Sequence, residues 1–188
     1  RSCYGLCTLD AAALLQFVPH LKVLDISDCA NLESGEIAAP ITNSLTGLYA
    51  CGCNKYIHTL EALLNGNSNT LTALDLSSVG FLEPVKRHTS LKTLILNDCL
   101  NANLEGLPEY LQAQTNLEVL ELNDEAELNE ELNKTLFMDV KACPHLKRLG
   151  VNRMNGVSFA MVLKKLESTL SLTSLSVNSC FVFQDMAG

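Results

Sequence analysis

The sequence predicts an α/β solenoid, in which stacked copies of one short unit build a parallel sheet and helices back that sheet. Three observations predict it. A nine-residue phrase with apolar residues at its first, fourth and sixth places recurs seven times in 188 residues. The segments between phrases carry helical spacing instead of alternation. The phrases also return at a nearly regular interval, the mark of a repeat architecture.

The phrases are LKVLDISDC from Leu21, LTGLYACGC from Leu45, LTALDLSSV from Leu71, LKTLILNDC from Leu91, LEVLELNDE from Leu117, LKRLGVNRM from Leu146 and LTSLSVNSC from Leu172. Their starts are separated by 24, 26, 20, 26, 29 and 26 residues, so one repeat is shortened and one lengthened. The fourth and sixth places are two apart and point to one side of a strand, while the third, fifth and seventh point to the other. One such unit cannot bury its apolar side alone. Copies stacked in register join their strands over a continuous core.

Helical spacing covers Leu9 to Val18, Ser34 to Thr42, His58 to Leu64, Leu104 to Gln114, Asn129 to Ala142 and Val157 to Leu166, which we read as the outer layer. In the last of these, Val157, Ala160, Met161 and Leu166 form an apolar stripe that leaves Lys164 and Lys165 to water. The short segment Gly80 to Ser90 contains Pro84 and spans too few residues for a full helix, so a single turn is expected there.

With 47% hydrophobic and 18% charged residues the chain can bury a substantial core. A net charge of −8 disfavours phosphate backbones and favours basic partners, so nucleic acid is not expected as a ligand. Apolar runs such as Ala11 to Leu15 are far short of a membrane-spanning helix, and no membrane partner is expected. Eight cysteines fall at intervals set by the repeat rather than by a disulfide framework. Several unpaired thiols point to a reducing, cytoplasmic compartment.

These phrases resemble the leucine-rich-repeat family, whose consensus runs L-x-x-L-x-L-x-x-(N/C)-x-x-L. Cys29, Cys53, Cys99 and Cys180 hold the ninth place, and Leu32, Tyr56, Leu82, Leu104, Leu128, Val157 and Phe183 follow as the further apolar residue. Cysteine at that place and repeats near 26 residues are similar to the intracellular cysteine-containing and ribonuclease-inhibitor-like subclasses. Val79, Glu125 and Met154 depart from the ninth-place pattern. The resemblance spans practically the whole chain. It implies one repeat domain over residues 1–188, a curved sheet on the concave face, helices on the convex face, and protein recognition without cofactor or catalysis. Cys3 and Leu6 stand where an eighth, earlier strand would end, and the last phrase is followed by no outer helix, so an internal piece of a longer solenoid is expected.

If the concave face binds, its residues come from the outward places of each phrase. The candidate set is Asp25, Asp28, Tyr49, Asp75, Ile95, Asp98, Glu121, Asp124, Arg148 and Arg153, with Asp25, Tyr49, Asp75, Ile95 and Glu121 at its centre. Apolar anchors ringed by charge are how interface hot spots are built. The same acids would also serve merely to keep a sheet face wet. Acids predominate until the sixth phrase, where Lys147, Arg148 and Arg153 reverse the sign.

Other motifs carry less. Cys51-Gly52-Cys53 and the pair Cys3 and Cys7 invite a metal reading, yet the repeat places Cys53 and Cys3 in a buried ladder where the thiol serves loop backbone groups. Cys51 and Cys7 are then the candidate exposed thiols. His20, His58, His88 and His145 fall in linkers and helix ends, away from any nucleophile. The acidic run from Asp124 to Glu131 reads as a solvated loop, and the sequon at Asn133 lies in an expected helix. Two functional classes follow: a non-enzymatic recognition module for a protein partner, and a regulator of small GTPases, which the resemblance to repeat-built GTPase activators implies. Self-association through the ends of the stack is a third expectation.

Overall fold

In the computed structural model the described residues are 18–29, 44–55, 57–80, 82–99, 106–123, 143–153 and 171–178. Seven strands form one parallel sheet in sequential order: β1 (Val23–Asp25), β2 (Gly47–Tyr49), β3 (Ala73–Asp75), β4 (Thr93–Ile95), β5 (Val119–Glu121), β6 (Arg148–Gly150) and β7 (Ser174–Ser176). Each strand occupies the third to fifth places of one phrase, so all seven expected strands are present. The class is α/β.

The strands are in strict register. Leu24, Leu48, Leu74, Leu94, Leu120, Leu149 and Leu175 face one another along the sheet. With the sixth-place residues from Ile26 to Val151 they form one buried cluster, against which Leu175 and Val177 of the last phrase are partly buried. Each fully buried leucine contributes about 1.5–3 kcal/mol relative to an exposed one. A slip of one residue would turn this whole row outward, and that cost fixes the register.

Helix α1 (Ile57–Gly66) follows β2 and buries Thr59, Leu60, Leu63 and Leu64 in the same core. It ends at Asn67, whose buried side chain donates from Nδ2 to the Leu63 carbonyl at 2.9 Å and accepts from the Leu45 N–H at 2.8 Å. One amide thus closes a helix and ties it to the start of a neighbouring phrase. Between β3 and β4 the short linker holds a 3-10 helix at Glu83–Arg87, started by Pro84 and carrying a Glu83–Lys86 ion pair at 2.7 Å, in keeping with the single turn expected there.

Helix α2 (Leu107–Gln112) is shorter than the Leu104 to Gln114 segment expected from spacing. Gly106 sits at its start with φ 85, a left-handed conformation that only glycine adopts without strain, and Pro108 favours a first turn over an interior one. The expected helices at 9–18, 34–42, 129–142 and 157–166 lie outside the described residues, apart from Val18, which precedes a turn. No helix among the described residues is long and apolar enough to cross a membrane.

Candidate partner-binding face

The side of the sheet opposite the leucine row carries the third- and fifth-place residues. Register places Asp25, Tyr49, Asp75, Ile95, Glu121, Gly150 and Ser176 in one row, and Val23, Gly47, Ala73, Thr93, Val119, Arg148 and Ser174 in the adjacent one. The five residues predicted as the centre of the face are therefore consecutive members of a single row. Val23 is 53% exposed, while Tyr49 and Ile95 are half-buried. Gly47 leaves room beside Val23: a Cβ there would stand 3.4 Å from the Tyr49 ring and 3.5 Å from the Val23 methyls.

The acids of the row are held in place. Asp25 Oδ1 accepts the Ser27 N–H at 3.0 Å, and this bond holds its carboxyl below the usual carboxylate range against a smaller opposing effect of burial. Asp75 Oδ1 accepts both the Ser77 N–H at 2.9 Å and its hydroxyl at 2.6 Å. The Ser77 oxygen in turn accepts the Asn97 N–H at 3.2 Å. Glu121 is ion-paired with Arg148 of the next strand at 2.8 Å. The reversal of sign expected at Arg148 is thus muted, because its charge is already met by Glu121 within the sheet.

The seventh-place side chains meet the fifth-place row: Ser77 Oγ donates to Asp75 at 2.6 Å, Asn97 Nδ2 to Glu121 at 3.4 Å, and Asn152 Oδ1 accepts the Ser176 hydroxyl at 2.8 Å. The same places also bond the backbone. Asn97 Oδ1 accepts the Asn123 N–H at 2.9 Å, Asn123 Oδ1 accepts the Asn152 N–H at 2.9 Å, and Asn152 Oδ1 accepts the Asn178 N–H at 2.8 Å. These amides extend the sheet's hydrogen bonding beyond the strands, and they are half-buried or, for Asn178, exposed. The signal was four consecutive phrases with Asn at that place.

At the eighth place the chain turns through left-handed backbone: Asp28, Gly52, Ser78, Asp98 and Arg153 have φ of 56, 73, 58, 55 and 56. Each non-glycine residue there costs about 1–2 kcal/mol. An in-line bond offsets it, from the eighth-place N–H to the seventh-place carbonyl of the next phrase, as in Asp98 to Asn123 at 2.8 Å. Asp28, Asp98 and Arg153 are exposed on this rim and Asp98 accepts the Ser78 hydroxyl at 3.2 Å. Asp124 lies outside the described residues.

The described cysteines divide between the core and the turn after β2. Cys53 is buried and donates its thiol to the Ile26 carbonyl at 3.0 Å, and Cys99 reaches the Leu76 carbonyl at 3.7 Å. Burial pushes the Cys53 thiol up to about 11. Cys51, expected as an exposed thiol, is half-buried; burial and then the charges of Asp75, Asp28 and Asp98 raise its pKa, which leaves it a poor nucleophile. Cys3, Cys7 and Cys180 lie outside the described residues. Among the described residues no three His, Cys, Asp or Glu side chains converge to hold a metal ion.

On the helical side, a cleft of about 430 Å³ is lined by Lys86, Gly106, Glu109, Tyr110 and Ala113. Two of its polar groups are engaged elsewhere: Lys86 pairs with Glu83, and the Tyr110 hydroxyl donates to the His88 carbonyl at 3.0 Å. A third ladder at the second place went unremarked in the sequence, with Glu118 clamped by Lys147 at 2.6 Å and Lys92 at 3.3 Å. The Lys147 bond, then the Lys92 bond, hold the Glu118 carboxyl below its ordinary range.

No protein-family model matches the sequence, and no curated protein matches it.

Proposed function

We propose that the chain is a leucine-rich-repeat solenoid, with the sheet on a concave face and helices on the convex one, and that it is a non-catalytic recognition module. The sheet face takes a protein partner that presents a basic surface. The single observation that carries this reading is the in-register row Asp25, Tyr49, Asp75, Ile95 and Glu121, which alternates carboxylates with half-buried apolar groups across five strands. Apolar anchors at the centre of a charged surround supply affinity, and the surround supplies on-rate and selectivity. Sequential parallel strands joined through helical turns are what stacked repeat units produce, and the thiol ladder supports a reducing compartment.

Placing a photo-crosslinking amino acid at Ile95 tests the reading against the same group at the exposed His58 on α1. The partner is expected to be captured from position 95 and not from position 58, and capture should disappear when Asp25, Asp75 and Glu121 are changed together to lysine. Capture from position 58 alone would overturn it.

A further inference from the structure

The row has a period of two strands: carboxylates on β1, β3 and β5, apolar side chains on β2 and β4. Neighbouring strands lie about 4.8 Å apart, so successive acids of the row recur every ~9.6 Å across the sheet. Resting on the reading above, we infer that this face seats an extended, polyproline-II-like segment of the partner, lying across the strands with Arg or Lys at every third residue.

The spacing selects this conformation. A polyproline II chain rises about 3.1 Å per residue with three residues per turn, and so returns to the same side every ~9.3 Å. Over the two steps from Asp25 to Glu121 it drifts from the acids by only about 0.6 Å. A β-strand returns every second residue, about 6.7 Å, and falls short by roughly 6 Å over the same span. An α-helix returns after seven residues, about 10.5 Å, and overshoots by nearly ~2 Å. Between the basic residues, proline rings meet Tyr49 and Ile95. The register also ends the footprint, because two strands beyond Glu121 the row holds Ser176, and the residue that reaches Glu121 must compete with Arg148 for it. Three basic residues fill the row, and a fourth would find no acid.

The test uses the full chain and three labelled seven-residue peptides of identical composition, each with three arginines and four prolines. They are Arg-Pro-Pro-Arg-Pro-Pro-Arg, Pro-Arg-Pro-Arg-Pro-Arg-Pro and Pro-Pro-Arg-Arg-Arg-Pro-Pro, titrated by fluorescence polarisation at low ionic strength. The period-three peptide is expected to bind roughly tenfold tighter than either of the others, because it alone engages three acids at once. Asp75→Asn should remove that advantage, and Asp25→Asn, at an exposed position, serves if the first variant fails to fold. Equal binding of all three peptides, still lost in the Asp variants, would overturn the spacing and leave the basic-partner reading standing. No binding by any of them overturns both.

Discussion

Arg148 of β6 places Nη2 2.8 Å from Oε1 of Glu121 on β5, with the Glu121 side chain only 16% exposed and that of Arg148 59% exposed. The pair joins the third place of one phrase to the fifth place of its neighbour. It closes the acidic row at one end and lowers the charge that an approaching cation meets.

Replacing Arg148 with alanine should therefore separate stability from binding. With Arg148 largely open to water the pair contributes about 1 kcal/mol or less, so the urea midpoint should move little. The released Glu121 charge should raise the association rate of a basic peptide, with the gain fading as salt is added. A large loss of stability without any change in association rate would contradict this account of the pair.

Much of this architecture was legible in the sequence because it rests on period. The seven strands follow from leucines at the first and fourth places, and the single turn around Pro84 follows from a linker too short for a helix. The central row was legible too, since fifth-place residues of in-register strands must be neighbours. The backbone bonds of the Asn97, Asn123 and Asn152 ladder were not legible, because alternation gives the side of the sheet a residue faces and not the bonds it makes where the chain leaves the strand. Nor does any pattern of apolar residues announce a left-handed turn occupied by Ser78 or Arg153. The ion pairing of Arg148 needed the register as well as the sequence, for its partner lies 27 residues earlier, at Glu121.

Asn123 carries one rung of the ladder with two bonds to the same neighbour. Its Oδ1 accepts both the Asn152 N–H at 2.9 Å and the Asn152 side-chain amide at 2.7 Å. Asn123→Ala leaves a partly buried N–H without an acceptor, at a cost of about 1–3 kcal/mol in urea unfolding. Asn123→Asp retains the acceptor oxygen and should lose less. Equal losses in the two variants would place the effect in packing instead of hydrogen bonding.

Thiol reactivity gives a check on the cysteine ladder that needs no mutation. The thiolate is the reacting form, so iodoacetamide at neutral pH should modify Cys51 more slowly than a small free thiol such as glutathione. Cys53, with its pKa near 11 and its Sγ turned to the Ile26 carbonyl, should be slower still. Site-resolved mass spectrometry over a time course reads both rates. Faster labelling of Cys53 than of Cys51 would reverse the burial assigned to this loop.

His88 makes the fold sensitive to mild acid. Its side chain is 0% exposed, and neither ring nitrogen makes a hydrogen bond of good geometry. Burial pulls its pKa below the ordinary 6.5, with the Leu64 carbonyl offsetting part of the shift. Above that pH the ring is neutral in both folded and unfolded chains. As pH falls below 6.5 the unfolded chain takes up a proton that the folded one refuses, so stability declines, by at most about 1.4 kcal/mol per pH unit, until the lowered folded pKa is reached. The carboxylates with depressed values, Asp25 and Glu118, act only at lower pH, beginning near their ordinary 3.8 and 4.5. Urea unfolding between pH 7 and 5.5 should therefore show a decline that His88→Leu flattens, with little cost at pH 7, because the leucine replaces two ring nitrogens that lack a well-formed hydrogen bond and keeps the backbone carbonyl to which the Tyr110 hydroxyl donates. An unchanged slope in the variant would assign the acid sensitivity to some other group and refute the burial of a neutral imidazole at this position.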